Sequence, residues 1–206
     1  GDGGKVTPDQ KHRLDEAFIS SERMVRLMGD FLNVSRLQTG KFMIEKQPID
    51  LAKVVAQEIE SLGPNAAARG LKFAYKQPKT FPELNLDESK IRQVIMNFAD
   101  NAIYYSKEKS TIKIDLKVQG SWIECTVKDT GIGVPDKEKE QLFNKFFRAT
   151  NARKQRPDGT GVGLFLAKKV IDAHDGQIIF DSKEGKGSTF GFRLPIPKSR
   201  ARNNSN

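Results

Sequence analysis

The spacing of apolar residues changes at Gly40, and this change divides the chain into two kinds of structure. Before Gly40, apolar residues recur every three or four positions over residues 9–39, which predicts one long amphipathic helix. Thr7-Pro8 is a helix start signal and Gly40 a stop signal. The apolar stripe contains Leu14, Ala17, Ser21, Met24, Met28 and Phe31, flanked by Phe18, Val25 and Leu32. One helix cannot bury this face, so we expect a partner helix from this chain or another; packing on the helix's own domain is the alternative.

After Gly40, short strand patterns alternate with amphipathic helix patterns. Strands are predicted over 41–48, 71–76, 83–86, 111–118, 121–128, 177–182 and 188–194, and helices over 50–62, 87–105 and 162–174. The first of these helices is predicted to end at Gly63-Pro64. Together, these predicted elements give an α+β fold: a two-layer sandwich with helices on one face of a mixed sheet, preceded by a long helix.

Composition excludes several classes of protein. No apolar run approaches the ~20 residues that a membrane helix needs. The single cysteine, Cys125, excludes a disulfide framework and is expected to be a buried apolar residue on a strand, which fits a reducing cytoplasm. The net charge is +9, but the basic residues are mixed with 26 acidic ones, which favours a solvated surface over a nucleic-acid site.

Four short motifs carry chemistry. Asn97 and Asn101 are four residues apart, so they share one face of a helix, where two amides can bind a metal or a phosphate-bound water. Asp129-Thr130-Gly131-Ile132-Gly133 places a carboxylate at a strand end, where it can accept from an exocyclic amine, beside glycines that let backbone approach a flat ring. Taken singly, the first motif also fits a helix surface and the second a simple turn.

The other two motifs are glycine-rich. Gly159-Thr160-Gly161-Val162-Gly163-Leu164 opens a helix, and free amides at a helix start favour anions such as phosphates. It lacks the Gly-Lys-Ser/Thr ending of a P-loop and does not follow a strand directly. Gly185-Lys186-Gly187-Ser188-Thr189-Phe190 connects two predicted strands and by itself fits any hairpin.

In order and spacing, the four motifs resemble the N, G1, G2 and G3 boxes of sensor histidine kinases, within the superfamily that also holds gyrase, Hsp90 and MutL. Leu142-Phe143-Asn144-Lys145-Phe146-Phe147-Arg148 resembles the F box, and Ala173-His174-Asp175-Gly176 resembles the family's helix end. The likeness covers about residues 9–196 and implies the Bergerat, or GHKL, ATP-binding fold. It also implies cytoplasmic ATP-dependent phosphorylation of a histidine.

The resemblance implies a role for each motif residue. Asn101 would hold magnesium, and Asn97 would act near the γ-phosphate. Asp129 would bind the adenine amine, and Arg148 would be a catalytic cation on a mobile lid over residues 134–160 that Phe146 and Phe147 anchor. Thr189 and its neighbours would support the floor of the adenine pocket. The residues expected to bind ATP and Mg²⁺ are Asn97, Asn101, Tyr104, Tyr105, Asp129, Gly131, Gly133, Phe146, Phe147, Gly159, Thr160, Gly161, Val162, Gly163, Leu164 and Thr189.

The same resemblance organises the chain. Residues 1–40 would be the tip and second helix of the dimerisation and phosphotransfer hairpin, 41–196 the catalytic domain, and 197–206 a disordered basic tail. Implied partners are a response-regulator receiver domain and a second copy bound through the hairpin. No nucleic acid is expected, and membrane contact is expected only through segments outside this sequence.

Two features depart from the family pattern. The motif around the acceptor histidine is not found, and the two histidines, His12 and His174, are expected to be a surface and a structural residue. We therefore expect nucleotide binding without self-phosphorylation. Tyr104 stands where the family usually has lysine, and Lys107 or lid cations are candidate replacements. A GHKL ATP hydrolase and a degenerate nucleotide-binding module are the alternative functions; Asn97, where hydrolases carry glutamate, argues against the first.

Overall fold

The computed structural model describes Gly4 and residues 6–196, apart from the side chains of residues 19, 22, 23, 26 and 30. The chain divides into two compact units, Gly1–Met43 and Ile44–Asn206. The predicted tail over 197–206 lies outside the described residues. The assignment of residues 1–40 to a phosphotransfer hairpin stays a prediction.

The described part of the first unit is dominated by one helix, α1, Pro8–Gln38. Thr7 caps it through a capping box: the Thr7 hydroxyl accepts from the Gln10 amide, and the Gln10 side chain accepts from the Thr7 amide. Gly40, at φ +67°, follows the helix end. The predicted start and stop signals are therefore confirmed.

The second unit contains the remaining helices and strands. The helices are α2 Leu51–Ala68, α3 Glu88–Tyr105, α4 Thr150–Gln155 and α5 Gly163–Asp172, with a 3₁₀ helix at Asp136–Gln141. The strands are β1 Gln47–Ile49, β2 Lys72–Tyr75, β3 Leu84–Leu86, β4 Thr111–Gln119, β5 Trp122–Lys128, β6 Gln177–Lys183 and β7 Gly187–Pro195.

Five strands form one mixed sheet in the order β2-β4-β5-β7-β6. The β2–β4 pair is parallel and the other pairs are antiparallel, while β1 and β3 form a separate antiparallel pair. One sheet face is apolar, through residues such as Ile112, Ile123 and Phe192. Helices α2, α3 and α5 cover it, α3 lying between the other two, which confirms the two-layer α+β prediction.

Two predicted boundaries are wrong. The strand predicted over 41–48 is only the short β1, and α2 continues through Gly63-Pro64 to Ala68. Glycine before proline has no Cβ to clash with the proline ring, so the helical conformation survives there. The signal that stops the helix after Ala68 is Gly70, at φ +67°. The Leu71 amide then donates to the Ala66 carbonyl.

Candidate nucleotide-binding site

Asp129 lies just after β5, in the layer between sheet and helices, and is 5% exposed. Its Oδ1 accepts from the Gly131 amide at 2.7 Å and the Ser188 amide at 3.2 Å. Burial raises the pKa of this carboxyl, and the two amide hydrogen bonds partly oppose that rise. Because both bonds fall on Oδ1, Oδ2 is the oxygen that can accept from a ligand amine.

Backbone segments crowd around Asp129. A Cβ on Gly131 would collide with the Tyr105 carbonyl oxygen, and one on Gly187 would collide with the Asp129 carbonyl oxygen. A Cβ on Gly133, which has φ +63°, would likewise collide with the Lys183 carbonyl oxygen. The end of α3, the loop after β5 and the β6–β7 turn therefore meet at this carboxylate, which brings the predicted G1 and G3 motifs together.

A pair of buried serines supports this end of the site. Ser182 Oγ lies 2.8 Å from Ser188 Oγ, accepts from the Val134 amide at 2.9 Å and donates to the Gly187 carbonyl at 3.1 Å. The sequence analysis did not single out either serine as a binding residue. Ser188 lies two residues before the buried Phe190, so strand alternation places both side chains on the same face. This spacing could have indicated Ser188.

Thr189 lies on the other face of the sheet. It pairs with the exposed residues Lys128 and Asp181, while its neighbour Ser188 contacts Asp129. Side chains alternate along a strand, so Thr189 and Asp129 point to opposite faces. Support of the adenine pocket by Thr189 and its neighbours stays a prediction; among them, Ser188 is the residue whose amide contacts Asp129.

Asn97 and Asn101 lie on one face of α3, with Asn101 Nδ2 donating to Asn97 Oδ1 at 3.3 Å. A Cβ on Gly163 would stand 2.6 Å from Asn97 Nδ2, so the start of α5 packs directly on this amide. Val162, the residue before α5, offers no side-chain cap to the first amides of that helix. Uncapped amides beside two asparagines form a polar surface suited to an anion and its metal.

The rest of the glycine-rich motif holds its shape through local contacts. Gly161 has φ +69°, and its carbonyl accepts from the Phe146 amide at 3.0 Å. Thr160 Oγ1 accepts from the Val162 amide at 3.2 Å. Val162 is buried and Leu164 is half-buried, so the backbone before α5 is packed against the rest of the unit.

Arg148 donates hydrogen bonds to the carbonyls of its own loop. Its guanidinium donates to the carbonyls of Pro157 at 3.0 Å, Gly159 at 3.1 Å and Ala152 at 3.3 Å, and also to the Arg156 carbonyl. A planar fork of donors is well suited to gathering carbonyls from a tight loop. Arg148 therefore organises the loop between α4 and α5, and its role as a catalytic cation near the phosphates stays a prediction.

Of the two aromatic residues predicted to anchor the lid segment, Phe146 is exposed and Phe147 is partly covered. Phe146 has φ +65°, is 58% exposed and carries the Lys145 ammonium 4.8 Å from its ring centre. Leu142 and Ala149 are the buried residues of this segment, and the half-buried Phe143 ring meets Phe180 edge-on at 5.7 Å. Phe147 is half-buried.

Helix α4 is tied to the loop after β5 by two contacts. The Glu138 carboxylate accepts from the Thr150 amide at 2.8 Å and hydroxyl at 2.9 Å. Asn151 Nδ2 donates to the Gly133 carbonyl at 2.9 Å. The predicted lid segment therefore lies next to the predicted adenine end of the site.

Tyr104 and Tyr105 close the other end of α3. Their rings meet edge-on at 5.2 Å, and the Tyr105 carbonyl is the group that crowds Gly131. The Tyr104 hydroxyl donates to the Gln155 carbonyl at 3.2 Å, linking α3 to the end of α4. The structure thus brings Asn97, Asn101, Tyr105, Asp129 and the glycine motifs into one connected region.

Residues 86–198 match the family model for histidine kinase-, DNA gyrase B- and HSP90-like ATPases. The chain belongs to this family. Among the family's sensor kinases, it is 34% identical over 182 residues to the sensor histidine kinase WalK of Bacillus subtilis, covering 87% of this chain and 30% of WalK. It is 36% identical over 175 residues to the adaptive-response sensory kinase SasA of a Synechococcus strain, covering 84% of this chain and 46% of SasA. The chain thus spans less than half the length of these relatives.

Solved histidine kinase structures share this ATPase fold. Full-length ShkA in complex with AMPPNP aligns with a TM-score of 0.76 at 25% identity, covering 94% of this chain and 40% of ShkA. The catalytic domain of the histidine kinase ThkA aligns with a TM-score of 0.60 at 25% identity, covering 73% of this chain and 95% of that domain. The fold prediction is confirmed.

Proposed function

We propose that this chain is the ATP-binding catalytic part of a protein-histidine kinase. The single observation that carries the proposal is the convergence of Asp129, Gly131 and Ser188 at one end of a region that has Asn97 against Gly163 at the other. The first group offers an acceptor for the adenine amine, and the second offers amides for the phosphates. Its similarity to the kinases WalK and SasA supports the same assignment.

Magnesium would be held by Asn101 together with the nucleotide. Magnesium in such sites takes one or two protein ligands and completes its shell with phosphate oxygens and water. The Asn101 side-chain nitrogen is already occupied as a donor to Asn97, so the Asn101 amide oxygen is the atom that fits a metal. When bound, the ion would neutralise phosphate charge during transfer.

The reaction is transfer of the γ-phosphoryl group to an imidazole. A bond forms between the histidine nitrogen and the γ-phosphorus, the bond to the β,γ-bridging oxygen breaks, and ADP leaves. Such transfer needs positioning and charge neutralisation more than a strong protein base. Asn97 fits that requirement, since an amide does not readily accept a proton.

The acceptor histidine comes from elsewhere than the two in this chain. His12 is exposed and pairs with Glu16 at 3.4 Å, whereas both ring nitrogens of His174 are engaged within the protein. We propose that a separate acceptor hairpin presents the imidazole and that a response-regulator aspartate then receives the phosphoryl group. Pairing of two copies through α1 belongs to the same proposal.

Titration with the ATP analogue AMPPNP and magnesium tests the adenine assignment. Asp129→Asn should weaken binding by about tenfold or more, because a carboxylate accepts a hydrogen bond more strongly than an amide oxygen does. Asp115→Asn, the same change at an exposed position of β4, is the matched control and should bind as wild type does. Equal affinity of Asp129→Asn and wild type would remove the adenine assignment.

The reaction itself is tested with labelled ATP and a separate acceptor hairpin. Label on the hairpin histidine is expected, with little steady-state ATP hydrolysis by the chain alone. Vigorous hydrolysis without histidine labelling would instead favour the hydrolase alternative. Binding without either activity would favour a degenerate nucleotide-binding module.

A further inference from the structure

The peptide unit between Gly133 and Val134 is held at both of its polar ends. Its carbonyl accepts from Asn151 Nδ2 at 2.9 Å, and its amide donates to Ser182 Oγ at 2.9 Å. Asn151 belongs to α4, whereas Ser182 belongs to β6. One peptide of the loop after β5 therefore joins two elements that are distant in the sequence.

From Ser182, hydrogen bonds continue to the carboxylate of Asp129. Ser182 Oγ lies 2.8 Å from Ser188 Oγ, and the Ser188 amide donates to Asp129 Oδ1 at 3.2 Å. All three residues are buried. Losing a hydrogen bond between buried groups is costly, because no water replaces the missing partner. A short chain of contacts thus leads from Asn151 to the proposed acceptor of the adenine amine.

The loop that contains this peptide lies directly against the turn between β6 and β7. A Cβ on Gly133 would stand 2.1 Å from the Lys183 carbonyl oxygen, and the Gly185 amide donates to the Ile132 carbonyl at 2.7 Å. Backbone in such close contact cannot shift on one side alone. A displacement of the Gly133–Val134 peptide must therefore be accommodated by the turn that leads to Ser188.

The side chain of Asn151 is poorly suited to a purely structural role. Its Oδ1 is buried and accepts from no group in the described part of the chain, which is unfavourable for folding. Departures of this kind are expected where a residue serves a binding site. The start of α4 is fixed beside it, because the Glu138 carboxylate accepts from the Thr150 amide and hydroxyl. Asn151 is thus held where its Nδ2 reaches Gly133.

We infer that Asn151 is a positioning residue for recognition of the adenine base. It holds the Gly133–Val134 peptide against Ser182, and the serine pair keeps the Ser188 amide on Asp129 Oδ1, which leaves Oδ2 for the exocyclic amine. The inference rests on the proposed function, because it presumes that Asp129 accepts from that amine. It makes α4, a helix of the predicted lid segment, part of the apparatus that reads the base.

The test compares calorimetric titrations of AMPPNP and of its inosine counterpart, both with magnesium. The inosine analogue has a carbonyl oxygen in place of the exocyclic amine, so it cannot donate to Asp129. Asn151→Ala should weaken AMPPNP binding by about five- to tenfold, the size of a lost buried hydrogen bond, and change binding of the inosine analogue by less than about twofold. Asn144→Ala, the same exchange at an exposed asparagine of the predicted lid segment, should change neither affinity.

Two further variants separate the hydrogen bond from the shape of the side chain. Asn151→Asp keeps the shape but, when ionised, cannot donate to Gly133, so it should show the same selective loss. Its added charge acts alike on two analogues that carry the same triphosphate, and the ratio of their affinities cancels that effect. The double variant Asn151→Ala/Asp129→Asn should bind AMPPNP within about twofold of Asp129→Asn alone, since both changes impair one interaction.

Unchanged AMPPNP affinity in Asn151→Ala would overturn the inference while leaving the proposed function in place. Equal weakening of both analogues would show a merely structural role and would also overturn it, as would fully additive losses in the double variant. If Asn151→Ala does not fold, Asn151→Asp decides the question. Failure of the wild-type chain to bind AMPPNP, or equal affinity of Asp129→Asn and wild type, would instead count against the proposed function.

Discussion

His174 is a histidine used as a neutral structural element. Its Nδ1 lies 2.7 Å from the Val170 carbonyl, and its Nε2 accepts from the Asp87 amide at 2.9 Å. The ring therefore carries its proton on Nδ1, and protonating Nε2 would remove the acceptor for Asp87. The sequence analysis expected a structural role from the helix-end motif alone, and burial at 3% exposure confirms it.

This arrangement predicts acid sensitivity near neutral pH. Burial lowers the pKa of His174 below its usual 6.5, although Asp87 and Asp175 oppose this and Lys46 adds to it. The unfolded chain then binds the proton more tightly than the folded one, so stability is full above pH 6.5 and falls as pH drops through 6.5 toward the lower folded pKa. The slope for this one group is at most about 1.4 kcal/mol per pH unit.

Urea unfolding at a series of pH values from 5 to 8 would measure this effect. His174→Gln keeps a donor and an acceptor but does not titrate, so its stability should be flatter over that range. The Asp87 carboxyl contributes little there, because hydrogen bonds from the Glu45 and Lys90 amides and Ser89 outweigh burial and lower its pKa. A wild-type profile as flat as that of His174→Gln would contradict the prediction.

Gly131 shows how a single methyl group can close the site. A Cβ there would come within 2.2 Å of the Tyr105 carbonyl oxygen and 2.9 Å of Asp129 Oδ1, so the end of α3 or the carboxylate would have to shift. Gly131→Ala should therefore reduce AMPPNP affinity by about tenfold or more, in line with the cost of overpacking a tight contact. Calorimetric titration would measure it.

Gly29→Ala is the matched control for that exchange. Gly29 lies within α1, and a Cβ there would meet nothing within 4 Å. The substitution should leave nucleotide affinity unchanged and favour the helix by about 0.5–1 kcal/mol. Comparable loss of binding in both variants would point to a general effect of alanine rather than to closure of the site.

Among the elements, those with a strong period were predictable from the sequence. α3, β4 and β5 lie within a residue or so of their predicted bounds, because their apolar repeats of 3.6 or 2 residues continue without interruption. The end of α2 was missed because the Gly63-Pro64 signal is local, while the buried Leu62 and Ala66 favour continuing the helix.

Within the site, the glycine motifs and Asp129 were predictable, but the direction of individual side chains was not. Arg148 turns into its own loop because its planar guanidinium can donate to several backbone carbonyls of that loop at once. The motif around Thr189 predicts a contribution to the pocket without saying which of its residues faces Asp129; strand alternation assigns that contact to Ser188. Sequence order identifies motifs, whereas these details depend on tertiary contacts.

The conformation of the segment that connects α4 and α5 should depend on Arg148. Replacing it by Gln removes the side-chain hydrogen bonds to the carbonyls of Ala152, Pro157 and Gly159, although Ala152 keeps its bond from the Arg156 amide. The segment should therefore open more often while the sheet stays intact. Hydrogen exchange of amides over 150–160 should speed up by about tenfold or more, with no change in the β4–β5 amides. Lys154→Gln, which makes none of these bonds, serves as the comparison, and protection equal to wild type in Arg148→Gln would refute this role.

At the scale of the whole molecule, the two units differ in how they are stabilised. The second unit has its own apolar core between sheet and helices. α1 instead exposes large apolar side chains, with Phe18 64%, Val25 70% and Phe31 69% exposed. Water-facing apolar stripes of this kind are typical of surfaces that a partner covers. The sequence predicted the stripe, and a partner helix remains a prediction.

Because the apolar face of α1 and the core of the second unit are built from different residues, self-association and nucleotide binding should be separable. Sedimentation over a range of concentrations should show the wild-type chain associating, since several large apolar side chains would leave water together. Phe31→Glu places a charge in that face and should shift the association midpoint to at least about tenfold higher concentration, while AMPPNP affinity stays the same. Met43→Glu makes an equally drastic change at a side chain that is 77% exposed and lies beyond the helix, so it should leave association intact. If the Phe31→Glu chain associates like wild type, another surface joins the copies. If it loses nucleotide affinity, α1 and the binding region are energetically coupled.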